Sequence, residues 1–283
     1  MMRIDIVTVF PDMIAAALDH SIVKRAQERG LVTIRVVNLR DYTQDRHKTT
    51  DDIPYGGGGG MIMKIEPIAR ALDALTEGEA RPRIALTDPR GPRFTQETAR
   101  QWAQEPHLIL LCGHYEGVDE RVRQHLVTDE VSIGDYILTG GELPALVIAD
   151  ALTRLQPGAL GDAEAPDKDT FAQDLLEYPH YTRPHTFQGW MVPDILLSGN
   201  HAQIERWRRW HQLHATRERR PDLFDRLELT KQDYKLLDSA EPQAPADAIK
   251  TLQRTHPAFA QETDAPTERM QEENDGTGTG NHS

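Results

Sequence analysis

Two glycine-rich segments carry residue types that can do chemistry. One is Gly113-His-Tyr-Glu-Gly-Val-Asp-Glu-Arg121, and the other is Ser132-Ile-Gly-Asp-Tyr-Ile-Leu-Thr-Gly-Gly-Glu-Leu-Pro144. Each follows a strand-like run and mixes glycine with acids and tyrosines. Glycine loses more backbone entropy on folding than any other residue. Clusters of it between apolar runs therefore point to turns with φ > 0 or to close approach of a ligand. Two such loops read as two walls of one pocket. Asp88-Pro-Arg-Gly91, directly after the apolar run Arg83–Thr87, adds a further wall. In open parallel sheets, ligands sit beyond the carboxyl ends of the strands.

A run of five glycines, Gly56 to Gly60, follows Pro54-Tyr55. A phosphate loop needs a preceding strand and a Lys-Ser/Thr pair after the glycines. Here Met61-Ile-Met63 follows, and Asp45–Asp52 before the run is polar. The run suits close approach of a flat ligand or of backbone, with plain flexibility as the alternative. Arg46, His47 and Lys48 would suit phosphates beside it. The GxGxxG fingerprint is absent, as is the acid-plus-GxGxG pattern of Rossmann-type methyltransferases. No HExxH, CxxC or HxH pair marks a structural metal. Pro179-His-Tyr-Thr-Arg-Pro184 reads as a rigid turn or, by preference, a packed aromatic corner.

The elements that must position these loops alternate along the first 160 residues. Ile4–Phe10 is β-branched and bounded by Pro11. A helical stretch runs to about Arg29, with Gly30 as its stop. Val32–Val37 alternates as a strand, and Ile65–Leu75 has helical spacing. Arg83–Thr87 and Leu108–Cys112 are short apolar runs with a helix, Gln96–Gln104, between them. This order predicts an α/β fold with a mainly parallel sheet. Glu142–Leu155 reads as a strong helix stopped by Pro157-Gly158. Gly161 to Glu177 is acidic and broken by proline, as a mobile connector between domains would be. The helix opened by Ser198-Gly-Asn-His carries Ile204, Trp207, Trp210 and Leu213 at core spacing, with arginines between them. Thr230-Lys-Gln-Asp233 has the form of a helix start. Residues 241–283, rich in Pro, Ala, Glu, Gly and Thr, read as a disordered acidic tail.

The chain has 283 residues, room for one large domain or two ordinary ones. It holds no apolar run long enough to span a membrane, and its N-terminus reads as a strand and not as a signal peptide. Cys112 is the only cysteine, which excludes an intrachain disulfide and suits a reducing cytoplasm. Within His-Leu-Ile-Leu-Leu-Cys it reads as a buried small residue, not a nucleophile. The formal charge of −13 argues against a polyanionic partner until its distribution is seen. From Glu241 onward there are eight acids against three bases, while His201 to Arg220 holds six arginines against two glutamates. A basic stripe inside an acidic protein is a solvated helix face or a nucleic-acid surface, and composition does not choose between them.

Taken together, these strings resemble the bacterial tRNA (guanine-N1)-methyltransferase family of the TrmD type. The carrying stretches are Ile6–Met13, Asp45-Arg-His-Lys-Thr49 through Gly56–Met61, Leu111–Arg121, Ser132–Pro144, Pro179–Pro184 and Leu196-Leu-Ser-Gly-Asn-His201. They span about the first 240 residues and leave the acidic tail outside. The resemblance implies the SPOUT fold, an α/β sheet whose C-terminal part is threaded into a deep trefoil knot, with a small helical C-terminal domain. It implies a catalytic domain over 1–160, a linker over 161–176 and a helical tRNA-binding domain over 177–240, with the tail over 241–283 beyond it. It implies an obligate homodimer with active sites built from both subunits, methylation of guanosine 37, and a grip on the anticodon arm of tRNA.

The same resemblance assigns residues. S-adenosylmethionine would be held by Leu86, Pro89 and Gly91, by Gly113, Tyr115, Glu116 and Gly117, and by Ser132, Ile133, Gly134, Asp135, Tyr136, Ile137 and Leu138, with Gly140, Gly141 and Pro144 beyond. Candidates for tRNA contact are Arg46, His47, Lys48, Gly59, Arg183, Arg208 and Arg209. Glu116 would face either the methionine part of the cofactor or a Mg²⁺ ion, and the sequence leaves both open. The proton on guanine N1 must leave before N1 can attack, so a base must reach it. Negative charge then builds on O6, where a cation lowers the barrier. The family gives these jobs to Asp169 and Arg154. An ordinary Asp pKa of ~3.9 makes a weak base, which burial under an ordered linker could strengthen. Ala165 stands where relatives often carry serine, and Asp162 and Asp167 offer other carboxylates. Two other readings compete: a SPOUT ribose 2′-O-methyltransferase, which has no need of the Asp169–Arg154 pair, and a non-catalytic tRNA-binding protein, which has no need of the cofactor loops.

Overall fold

The computed structural model describes residues 1–78, 82–162 and 165–244. Two compact units emerge, Met1–Ala172 and a second from Gln173 onward. The first unit opens with β1 (Met2–Thr8), α1 (Pro11–Leu18), α2 (Ser21–Glu28) and β2 (Val32–Asn38), followed by a 3-10 turn at Leu39–Tyr42. A two-stranded ribbon, β3 (Asp51–Asp52) with β4 (Ile62–Met63), holds the five glycines in its loop. Then come α3 (Ile65–Thr76), β5 (Arg83–Thr87), α4 (Gln96–Trp102), β6 (His107–Cys112), α5 (Glu120–His125), β7 (Asp129–Val131), α6 (Glu142–Thr153) and a single turn, α7 (Ala165–Lys168).

Five strands form one sheet in the order β2-β1-β6-β5-β7, and every pairing in it is parallel. Strands covered on both faces need apolar side chains on both. All six residues of β6 are buried. Leu108, Leu110 and Cys112 point into a core shared with α1, α2, α4 and α6, while Ile109 and Leu111 point into a second core with α3 and Val122 of α5. Burial, and secondarily the Glu142 carboxylate, pushes the Cys112 thiol well up. A thiol held protonated is an inert packing residue.

One charged group is fully buried in this sheet. Asp5 on β1 lies opposite Arg35 on β2 and accepts from its guanidinium at 2.5 and 2.8 Å, with His107 Nε2 at 2.8 Å. Burial alone would raise its pKa, but hydrogen bonds from Arg35, Arg3 and His107 outweigh that and hold it below the usual range.

Two departures from the expected elements have local causes. The helix foreseen from Pro11 to Arg29 is two helices, because Asp19 and His20 leave the helical path and Ser21 takes φ +51°. Gly30, at φ +67°, closes the second helix as expected. β7 has only three residues, two of them acidic, so no apolar pattern announces it. Its acids are matched by arginines: Arg83 holds Asp129 at 2.6 Å, and Arg123 holds Glu130.

The second unit contains β8 (Thr186–Phe187), β9 (Trp190–Met191), α8 (Asp194–Leu197), α9 (His201–Arg219), α10 (Pro221–Phe224) and α11 (Lys231–Leu237). Asn200 caps α9 through Gln203 N–H, and Thr230 and Asp233 form the reciprocal capping box of α11. Leu213 is buried with Leu175 and Leu236, and Trp207 is 1% exposed. Trp210 is half-buried and stacks on His214 at 3.8 Å. Residues 179–184 are all exposed, so the segment is not a packed corner, although the Tyr181 ring lies 6.4 Å from Trp207; Arg208 lies 4.8 Å above the neighbouring Tyr178. The Arg183–Pro184 peptide is cis. No helix among the described residues is long and apolar enough to cross a membrane. The tail from residue 245 lies outside the described residues.

Candidate functional site

The carboxyl ends of β5, β6 and β7 open onto one cavity of about 400 Å³. Its walls are the three loops foreseen from sequence. Pro89, Gly113, Tyr115, Glu116, Gly117, Ser132, Ile133, Gly134, Tyr136, Ile137, Leu138, Gly140, Gly141 and Pro144 all line it. Leu86, Gly91 and Asp135 do not. Leu86 is fully buried in β5, and Asp135 is exposed and paired with Arg93 at 2.5 Å. A Cβ on Gly91 would meet Val131 N at 2.5 Å, so Gly91 sets the approach of two loops.

Backbone-to-backbone contact closes the cavity floor. Gly141 N–H donates to Gly113 O at 2.7 Å, and Thr87 Oγ1 donates to Leu111 O at 3.2 Å. A Cβ on Gly141 would lie 1.9 Å from Thr87 Oγ1 and 2.8 Å from Cys112 Cα. Positive φ occurs at Gly117 and Gly134, and also at Tyr115, whereas Gly113, Gly140 and Gly141 lack it. A Cβ on Gly140 would meet Glu142 and His114 at 2.3 Å, one on Gly141 would meet Thr87 and backbone, and one on Gly113 would meet Thr87 O at 3.2 Å.

Four further groups inside the assigned loops face this cavity. Thr87, Asp88, Arg90 and His114 line it from within the same loops. Burial would raise Asp88, but Arg90 and Arg123 bring it down to about 2, so it is a fixed anion. Glu142, 2% exposed at the start of α6, accepts from Thr8 Oγ1 at 2.7 Å and faces His114 Nδ1 at 3.6 Å. The five-glycine loop joins the site through Gly60, where a Cβ would meet Glu116 at 2.3 Å, and Glu116 N–H donates to Met61 O at 3.0 Å. Arg46, His47, Lys48 and Gly59 are exposed on or before this loop. Asp45 shapes the turn by accepting from His47 N–H and Thr49 N–H, and Lys48 Nζ pairs with Asp41 at 3.0 Å. No cluster of three or more His, Cys, Asp or Glu suited to a metal ion occurs among the described residues.

Arg154 caps the other end of α6, where its Nη2 meets Asp169 Oδ2 at 2.5 Å. The pair is half-buried beside a separate cleft of about 460 Å³ lined by Arg154, Asp162, Asp167 and Arg100 among others. A twelve-residue helix is about 18 Å long. Within one chain, then, the guanidinium–carboxylate pair and the loop cavity stand at opposite ends of α6.

A profile of the family described as tRNA (Guanine-1)-methyltransferase TrmD matches residues 2–226. The chain belongs to that family. It is 55% identical over 240 residues to a protein of Brevibacillus brevis named tRNA (guanine-N(1)-)-methyltransferase, covering 85% of this chain and 98% of the relative. Proteins of the same name from Halalkalibacterium halodurans and Bacillus cereus are also 55% identical, covering 86% and 84% of this chain and 99% and 98% of theirs.

In this member of the TrmD family the basic helix is unevenly available. Arg209 is bound to the buried Asp233 at 2.7 and 3.0 Å. That contact, offset by burial and aided by Thr230, brings Asp233 down to about 2. Arg208 pairs with Glu205 at 2.6 Å. Arg183, Arg206, Arg217 and Arg219 are exposed.

Proposed function

We propose that the protein transfers a methyl group from S-adenosylmethionine to N1 of guanosine 37 in tRNA, beside the anticodon. The observation that carries this reading is the Arg154–Asp169 pair, a base and a cation brought together fifteen residues apart in the sequence of a chain of this family. A ribose 2′-O-methyltransferase has no use for that pair.

The loop cavity fits the cofactor. Its volume lies in the range of small-molecule sites, and its walls combine bare backbone with Tyr115, Tyr136, Ile137 and Leu138. Pro89, Gly113, Glu116, Gly117, Gly134, Gly140, Gly141 and Pro144 would hold it. When bound, S-adenosylmethionine supplies an electrophilic methyl group. Asp169 takes the proton from guanine N1, and Arg154 neutralises the charge that builds on O6. Holding the guanine in line with the cavity supplies much of the rate.

The separation of the two ends of α6 supports a working homodimer in which Arg154 and Asp169 of one copy face the cavity of the other. Exposed apolar side chains support this. Phe10, Met13, Leu143 and Val147 are each 41–48% exposed, on α1, its cap and α6, which pack together. The contact of Gly140 and Gly141 with Gly113 and His114 is compatible with the trefoil knot that the family resemblance implies. We assign catalysis to residues 1–160, linkage to 161–176 and tRNA binding to the helical region 177–240, with Arg46, His47, Lys48, Gly59, Arg183 and Arg208 as tRNA contacts, while Arg209, expected among them, is committed to Asp233. A tRNA substrate suits a cytoplasmic enzyme.

Nucleoside mass spectrometry tests the reading. After incubation with unmodified tRNA and labelled S-adenosylmethionine, the label should appear in N1-methylguanosine. Label in a 2′-O-methylated nucleoside would replace this reading with the ribose one.

A further inference from the structure

The segment that presents Asp169 is short, acidic and poor in apolar anchors. Ala165–Lys168 makes one helical turn, Asp169 N–H donates to Ala165 O at 3.0 Å, and Ala172 N–H donates to Asp169 O at 3.0 Å. These local bonds fix the shape of the loop but not its place on the domain. Arg100, on α4, supplies an attachment. Its Nη2 donates to Pro166 O at 3.2 Å and its Nη1 to Ala172 O at 3.3 Å, while Asp167 Oδ1 lies 3.8 Å away. The two carbonyls stand on either side of Asp169 in the chain. One planar guanidinium thus spans both ends of the loop that sets Asp169 against Arg154. A guanidinium carries donors in a fixed fork, whereas an ammonium is a compact point charge that does not fix two acceptors in one geometry.

We propose that Arg100 is a positioning residue for methyl transfer: it clamps residues 166–172 so that the Asp169 carboxylate is placed for proton removal. This rests on Asp169 being the base. Arg100 touches neither the loop cavity nor the reacting atoms. It acts by fixing where Asp169 stands, and misplacement of a reacting group by about 1 Å can cost on the order of a hundredfold in rate.

The test uses the full chain with Arg100→Gln and Arg100→Lys beside Asp169→Asn. Arg100→Gln should lower kcat on the order of ten- to a hundredfold, with KM for S-adenosylmethionine unchanged, because the cavity lies at the far end of α6. Arg100→Lys should recover part of the loss. In hydrogen exchange, the amides of Asp169 and Ala172 should lose protection in Arg100→Gln while those of β6 keep theirs. Unchanged protection at Asp169 and Ala172 overturns the clamp. Faster exchange with wild-type kcat, in a protein whose Asp169→Asn variant is inactive, overturns the positioning role alone. An active Asp169→Asn variant overturns the assignment of the base, and the catalytic part of this inference falls with it.

Discussion

Gly141 and Arg154 cap opposite ends of the same helix, α6. The first lies in the cavity loops and the second holds Asp169. The helix is stiff and about 18 Å long, so it keeps the two functional ends apart. Its outer face carries the exposed Leu143 and Val147, one turn apart. In the homodimer proposed above, a second copy laid on that face brings its own Arg154 and Asp169 to the cavity of the first.

Asp169→Asn should lower turnover by roughly 10²- to 10⁴-fold, the usual worth of a general base, while S-adenosylmethionine still binds. An amide cannot accept the N1 proton. Calorimetry with the cofactor beside a methyl-transfer assay checks this. Activity within a few-fold of wild type would shift the role to Asp162 or Asp167.

Glycines of the cavity should divide into two kinds. Gly141→Ala meets backbone at Cys112 and Gly113 and the Thr87 hydroxyl, so it should cost about 1–3 kcal/mol of stability and disturb the cavity floor. Gly117 stands at φ +136° with nothing within 4 Å of a Cβ. Gly117→Val is therefore opposed by backbone conformation, and should weaken cofactor binding with a smaller loss in melting temperature. Thermal melts and cofactor titrations of the two variants separate the cases. Wild-type cofactor affinity in both would remove these loops from the binding site.

Acid should loosen the second unit through Asp233. Its carboxyl titrates at about 2 in the folded protein, against an ordinary 3.8. Folded pKa below unfolded means the contribution, roughly 2 kcal/mol, is fully present above pH ~3.8 and is lost as the pH falls towards 2. Asp233→Asn should flatten that part of the pH–stability curve and also lose the cap on α11. An unchanged curve would mean that Arg209 and Asp233 are not paired in solution.

Binding of tRNA should depend on salt through the exposed arginines. A double Arg206→Ala, Arg217→Ala variant should reduce the log–log salt slope by about 0.7 for each phosphate that is no longer neutralised. Arg209→Ala should instead lower stability, because its charge is committed to Asp233. Tail truncation must respect Glu241, whose carboxylate accepts from Trp207 Nε1 at 2.8 Å and lies 2.9 Å from His211 Nε2. Cutting after Ala244 keeps that interaction and should leave methyl transfer intact. A double variant with the wild-type slope would move the RNA surface towards Arg46 and Lys48.

What sequence made legible follows from where the physics is local. β6 announces itself because it is apolar on both faces, and the cavity loops because glycine, tyrosine and acid recur directly after strands. The break at Asp19-His20 has no glycine or proline to mark it. β7 is set by ion pairs from Arg83 and Arg123 elsewhere in the same chain, which leave no periodic trace. Gly113, Gly140 and Gly141 lack positive φ, and what crowds a side chain at Gly140 and Gly141 includes His114 and Thr87, atoms that no local pattern announces. Arg154 and Asp169 were reached through family resemblance, and Arg100 through neither motif nor resemblance, since its partners are backbone carbonyls 66 and 72 residues away.

The most direct measurement joins the chemistry to the geometry. Asp169→Asn and Gly117→Val chains are co-expressed with different tags, and the mixed dimers are assayed for N1-methylguanosine at a cofactor concentration too low to fill the Gly117→Val cavity. With sites shared between copies, each mixed dimer holds one whole site, so the co-expressed population should regain roughly a quarter of wild-type activity. Mixed dimers as inactive as either parent would contradict the claim that Asp169 of one copy serves the cavity of the other.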